Sequence, residues 1–304
     1  MKVILAAISL IILWSLTPLA IKWSGEGPGY LFGVLARMSL GLLGVVPVLF
    51  IRQTPLALDP NALLSYVAGA VQIFGSMWLT YWASQHIASG WIAVVFGLTP
   101  LLTAPLAHSF LGEASLTPLK LLSYILGLLG LALIFQSALN LSNASAMGIA
   151  AVLLAALGQA ISAVWIKAIH RQLDGFVQVA GSLLIAVPLF TITWFLLDGT
   201  IPGHIAPRSL YSILFLGLIA TTFGFSLYFY ILKHLQVSRV AMVTLVTPVM
   251  SLGVGHLMNH EPLHGSVLAG TGLILSGLIL FEWKGAPKKG LSPARSQGQG
   301  RLKR

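Results

Sequence analysis

The chain contains no cysteine, which excludes disulfides, thiolate-held metals and cysteine nucleophiles. Charge is almost as scarce: 8% of the 304 residues are Asp, Glu, Lys or Arg, against about 25% in ordinary soluble domains. Only seven are acidic, and none falls near the middle of an apolar run. A mechanism in which a proton and a cation compete for one intramembrane carboxylate is therefore disfavoured. There is no Walker phosphate loop, so ATP is not the direct energy source in this chain. Alternating stretches of about 10 residues, the mark of membrane β-strands, are missing too. No motif calls for a cofactor.

Apolar sequence fills the chain instead. Hydrophobic residues make up 57% and the mean hydropathy is +0.92, more than a water-soluble fold can bury. Runs near 20 residues, bounded by Gly, Pro, Asn or charge, read as membrane-spanning helices. Ten are predicted, near 3–22, 30–51, 62–83, 88–111, 118–137, 147–167, 176–197, 208–232, 236–258 and 265–283. The fold class is all-α and polytopic. The first run is too long for the apolar part of a signal peptide and carries no clear small-x-small cleavage site, so it is read as a helix. Of the 17 basic residues, seven (Lys284, Lys288, Lys289, Arg295, Arg301, Lys303 and Arg304) crowd the last 21 positions. Mixed with Gly, Ser, Gln and Pro, they predict a disordered basic tail over 284–304 that anchors topology at anionic lipid. Nucleic acid is not a partner on this reading, because no folded basic face with aromatics accompanies the tail.

Residues 86–113 recur at 234–261, and seven of the 28 positions are identical: His86/His234, Ala93/Ala241, Val95/Val243, Thr99/Thr247, Pro100/Pro248, His108/His256 and Glu113/Glu261. Composition alone gives roughly two or three such matches. Both copies are an apolar run with Thr-Pro at its middle and Glu just past its end. The same shift pairs Gly69 with Gly217, and a shift of 145 pairs Ile21-Lys22 with Ile166-Lys167. The expected organisation is a first repeat over 3–137, a loop at 138–146 and a second repeat over 147–283. Five spans is an odd number, so the second repeat enters the membrane from the opposite side. Charge agrees. With a cytoplasmic N-terminus, fourteen Lys and Arg lie on the inner side, two (Lys22 and Arg208) on the outer, and Arg37 within a span, as retention of basic loops inside requires. Inverted repeats of this kind are a signature of many transporters.

The run Trp14-Ser15-Leu16-Thr17-Pro18-Leu19-Ala20-Ile21-Lys22, Arg37 at the start of the second span, and Ala93 to Leu111 through Thr99-Pro100 with Gly112-Glu113 belong to one ordered set, completed by Thr247-Pro248 and Glu261. In this set the chain resembles the drug/metabolite transporter superfamily, EamA-type branch, over about residues 3–283. One departure is His260 where the first copy has Gly112. The resemblance implies ten helices, cytoplasmic termini, a cavity between the halves and, often, export of amino acids or related metabolites.

Several residues are candidates to line that cavity. Proline removes a backbone donor and clashes with the preceding turn, so Pro100 and Pro248 predict kinks that free carbonyls at mid-span. The adjoining Thr99 and Thr247 either face a substrate or bond back to their own helix. Trp14, Trp78, Tyr81 and Trp165 have small or polar neighbours that suggest a bundle-facing side, and Tyr228 joins them. Arg37 is either an anchor for a carboxylate or a structural cation. Gln72 and Gln159 lie nearest mid-span among the glutamines. Glu113 and Glu261 are read as structural, bonding backbone donors in the turns before spans five and ten. His260-Glu261-Pro262-Leu263-His264 spells the HExxH zinc pattern, but Pro262 breaks the helix that both His would need to share. No metal site is assigned.

These readings converge on a secondary exporter of small metabolites, such as amino acids or their analogues, by alternating access at the inner membrane. It is not read as an enzyme. Its partners are a small-molecule substrate and the bilayer, with protons a candidate coupling ion. Uptake of similar solutes is the alternative, and a membrane hydrolase using His260, Glu261 and His264 the remote one.

Overall fold

A computed structural model of the chain describes residues 2–113, 118–237, 240 and 247–283. These residues form ten helices and no strand. The first five are α1 (Lys2–Gly25), α2 (Tyr30–Ile51), α3 (Pro60–Ser84), α4 (Ser89–Leu111) and α5 (Pro118–Leu141). The second five are α6 (Asn143–Ala168), α7 (Gly175–Leu197), α8 (Pro207–His234), α9 (Thr247–Asn259) and α10 (Gly265–Trp283). Eight are long and apolar enough to cross a membrane, and α10 carries a shorter apolar stretch, Gly265–Phe281. The protein is an all-α polytopic membrane protein. Arg239, most of the first half of the ninth run and the tail 284–304 lie outside the described residues.

The helix ends follow local chemistry. Asp59 precedes Pro60 and accepts the Ala62 N–H at 3.1 Å, and Asp174 accepts that of Phe176 at 2.9 Å, each satisfying a donor with no partner in its own helix. Asp59 also receives two hydrogen bonds from Arg171, whose guanidinium holds the carboxyl below its ordinary value. The loop expected over 138–146 is far narrower. Helix continues through Leu141 and resumes at Asn143, leaving Ser142 alone between them, its hydroxyl capping α6 at the Ser145 N–H (3.0 Å). A polar Asn-Leu-Ser-Asn run resembles a loop, yet Ser and Asn are good N-caps.

In lipid, apolar helices gain little by hiding from their surroundings, so close backbone approach holds them together. Helices α5 and α10, one from each half, meet through glycines: a Cβ on Gly130 would sit 2.5 Å from the Gly270 carbonyl oxygen, and one on Gly270 2.7 Å from that of Gly130. Across α2 and α8, Gly41 lies against Thr221, and a Cβ on Gly217 would be 2.5 Å from Leu40 Cβ.

Three spans are interrupted. Helix α3 is π-helical over Val71–Ser76 and α8 over Phe215–Phe225, stretches that correspond between the halves at the 148-residue shift. The sequence reading drew both as plain helices. Helix α4 does not bend at Pro100 but breaks just before it. Its first segment ends at Phe96, Gly97 and Leu98 form a turn, and a new helix starts at Thr99-Pro100. Proline is well placed there, since the first helical turn has no use for its missing N–H. Thr99 Oγ1 donates to the Phe96 carbonyl (2.5 Å), the local bond rather than a free hydroxyl. Helix α9 is described from Thr247-Pro248 onward, residues 241–246 lying outside the described residues.

Candidate substrate cavity

The interruptions surround a small cavity of about 70 Å³ at the middle of the bundle. Six of the ten candidate residues line it: Trp14, Arg37, Gln72, Thr99, Gln159 and Thr247. The other lining residues are Thr17, Pro18, Ile21, Met77, Thr80, Ile92, Ala93, Phe96 and Phe225, which are not among the ten candidates. Both halves contribute to the wall.

Four candidates do not line it. Tyr81 is fully buried behind Arg37, its ring centroid 5.9 Å from the guanidinium carbon and its hydroxyl hydrogen-bonded to Ser24 Oγ at 3.3 Å. Tyr228 is buried behind Trp14, ring centroids 5.4 Å apart. Trp78 stacks on Phe74 and lines a separate lateral groove with Tyr30 and Trp82. Its polar neighbours Ser76 and Thr80 are two residues away on either side, and on a helix such residues point away from one another. Trp165 is 37% exposed at the end of α6, although Ser162, one turn back, is buried and donates to the Ala68 carbonyl at 2.7 Å. The 60° offset of three residues carries the indole out of the interface.

Arg37 is 2% exposed. The close approach at Gly41 brings Thr221 Oγ1 to 3.0 Å from Nε, and Met77 Sδ lies 3.9 Å from Nη1. All its contacts are neutral. Among the described residues no carboxylate pairs with it. Gln72 is 1% exposed, and neither its Oε1 nor its Nε2 finds a hydrogen-bond partner.

Beyond the cavity the two ends of the bundle carry the same construction. At one end, Glu261 reaches across to the start of α4, where its oxygens accept the Ser89 N–H (3.0 Å), the Ser89 hydroxyl (2.9 Å) and the Gly90 N–H (3.3 Å). Lys22 lies 3.7 Å from the same carboxylate and donates to the Ile87 carbonyl at 3.1 Å. At the other end, Glu113 accepts the Val237 N–H (3.0 Å), while Lys167 donates to the Leu232 and Leu235 carbonyls, both at 2.8 Å. The partners correspond one by one: Glu113 with Glu261, Val237 with Ser89, Leu235 with Ile87 and Lys167 with Lys22. The turns match as well, with His108 Nδ1 2.9 Å from the Glu113 carbonyl oxygen and His256 Nδ1 3.0 Å from that of Glu261.

The sequence reading placed both glutamates in their own turns. Each instead bonds a backbone N–H of the opposing half: Glu261 at the start of α4, where unpaired N–H groups and the helix dipole favour a carboxylate, and Glu113 at Val237, the counterpart of Ser89. This also disposes of the HExxH reading: residues 260–264 are not helical, and Glu261 is committed to Ser89 and Lys22.

The departure at His260 has a visible cost. Gly112 and His260 both adopt left-handed backbone, φ 63° and 52°, where a side chain costs about 1 kcal/mol. His260→Gly is expected to stabilise the protein by roughly that amount, read as a raised unfolding midpoint in detergent, whereas Gly112→His is expected to lower it.

The family profile of EamA-like transporters matches residues 1–136 and matches again over 146–283. The chain belongs to the EamA-like transporter family. A Bacillus subtilis relative named "Uncharacterized transporter YoaV" is 28% identical over 282 residues, covering 92% of this chain and 96% of the relative. A "Probable amino-acid metabolite efflux pump" of Salmonella typhimurium is 26% identical over 285 residues, covering 90% and 92%. A solved crystal structure superposes with a TM-score of 0.70 at 20% identity over 93% of this chain and 98% of that one, a likeness of fold. As an EamA transporter the protein is not an enzyme.

Proposed function

We propose that the protein exports small metabolites, amino acids among them, by alternating access between two inverted five-helix halves, with both termini cytoplasmic. The observation that carries this reading is the matched pair of clasps at opposite ends of one cavity. Each ties one half, at Ser89 or at the matching Val237, to the other half, through a Glu from one and a Lys from the other. Releasing the Glu261 clasp while the Glu113 clasp holds opens the cavity at one end, and the converse opens the other. Two symmetry-related doors on one chamber are what inverted repeats provide. The efflux name of the Salmonella relative supports the direction and the amino-acid class. The distribution of Lys and Arg supports the orientation.

Counterflow of labelled leucine in proteoliposomes is expected at least tenfold above protein-free vesicles, without ATP; equal rates would end the transport reading. Orientation is tested by single cysteines, introduced on the natural cysteine-free background. Thr200→Cys is expected to react with an impermeant maleimide from outside and Gln172→Cys only after lysis. The same compartment for both would overturn the inverted arrangement.

A further inference from the structure

We infer that the cavity selects its cargo by a single carboxylate, seated between Arg37 and Gln72, and that an ammonium group on the cargo is dispensable. The inference rests on the transport reading for the cavity's purpose, but the binding chemistry stands on the residues alone.

Among the described residues the cavity wall holds one formal charge, and its sign is positive. Arg37 comes from α2, Gln72 from α3 and Gln159 from α6, each at least nine-tenths buried. Arg37 has five N–H donors, and its contacts among the described residues are one hydroxyl, one thioether and one aromatic face. Gln72 leaves both amide atoms unpaired. Gln159 has no hydrogen bond among the described residues. Groups of this kind are costly to bury without a partner and are satisfied when one arrives. A carboxylate suits the donors among them, the Arg37 guanidinium and Gln72 Nε2: it is acceptor-only, planar and able to take the fork of an arginine together with an amide N–H. One negative charge balances one guanidinium, whereas a phosphate ester carries about −1.5 to −2 at neutral pH and would bring an excess.

An ammonium finds far less. Among the described residues no Asp or Glu lines the cavity. The hydroxyls of Thr17, Thr80 and Thr99 donate to the carbonyls of Leu13, Ser76 and Phe96, so they offer an ammonium neutral lone pairs but no counter-charge. The remaining wall is Trp14, Phe96, Phe225 and aliphatic side chains. This wall suits an apolar body behind the carboxylate.

The test compares three ligands that share one branched carbon chain: leucine, 4-methylpentanoate, which lacks the amine, and 3-methylbutan-1-amine, which lacks the carboxylate. Binding to the purified full-length protein is followed by thermal shift and by tryptophan fluorescence, with inorganic phosphate as a fourth ligand. Leucine and 4-methylpentanoate are expected to bind within tenfold of each other, and the amine and phosphate at least tenfold more weakly. Gln72→Leu is expected to raise the melting temperature of the free protein, since two orphaned atoms are removed, while weakening carboxylate binding about tenfold. Arg37→Gln is expected to abolish the preference for carboxylate over amine. Gln72→Leu serves if Arg37→Gln does not fold. Preferential binding of the amine or of phosphate, binding of none of the four, or Gln72→Leu leaving carboxylate affinity unchanged would overturn the inference. Carboxylate binding without leucine flux leaves the inference standing and sinks the transport reading; flux of the amine alone does the reverse.

Discussion

Glu261→Ala is expected to destabilise the protein by about 3 kcal/mol. The carboxylate is nearly inaccessible and accepts three hydrogen bonds from the start of α4. Its loss strands the Ser89 and Gly90 N–H groups and deprives Lys22 of its counter-charge, and breaking a buried pair from one side costs about 3–5 kcal/mol. Lys22 is 26% exposed, so water recovers part of that and the lower figure applies. Glu261→Gln keeps one acceptor oxygen and is expected to lose about half as much. Chemical unfolding in detergent measures both. A second readout separates latch from mere packing: a cysteine at the cavity residue Thr17 is expected to react several-fold faster from the Lys22 end in the Glu261→Ala background. No change in either quantity would mean that the clasp holds nothing.

Gly130→Val is expected to cost about 3 kcal/mol or more, the upper range for over-packing. The obstacle is another backbone rather than a side chain that can turn aside. The new Cβ would lie 2.5 Å from the Gly270 carbonyl oxygen and 2.8 Å from Ile274 Cγ1. To admit it, α5 and α10 must separate, which also loosens the contact of Gly277 with Ser123. Gly272 on the same α10 has open space around it, so Gly272→Ala is expected to be neutral or to stabilise by up to about 1 kcal/mol. Thermal unfolding of the two variants side by side tests the contrast. Similar losses from both would show that glycine matters here for flexibility and not for approach.

The spans were legible because each is a run of apolar residues whose ends are marked by charge, proline or a capping side chain. The repeat was legible from Thr-Pro and Glu recurring at a fixed distance. Arg37 and Gln72 stood out as polar side chains in apolar helices, which need a reason to be there. The clasps were hidden because the residues they join, such as Glu261 and Ser89, are 172 positions apart, and nothing in either neighbourhood names the other. Lys22 and Lys167 were seen as a matched pair, yet a lysine at a span end has an ordinary explanation as a topology marker. The π-helical stretches left no trace, since Val-Gln-Ile-Phe-Gly-Ser reads equally well as α-helix. Trp78 was misplaced by reading polar neighbours along the chain instead of around the helix.

Those π-helical stretches carry a consequence for how such a protein changes its cargo. A π turn holds one residue more than an α turn, so deleting a single residue within Val71–Ser76 would let the helix close into regular α geometry. The flanking turns would then keep their orientation and both ends of α3 their moorings, while the residues of the stretch itself, Gln72 among them, move around the axis by up to about 100°. A lone codon lost or gained at this spot therefore swaps one set of facing side chains for another in a single step, which a long series of point substitutions would otherwise have to assemble.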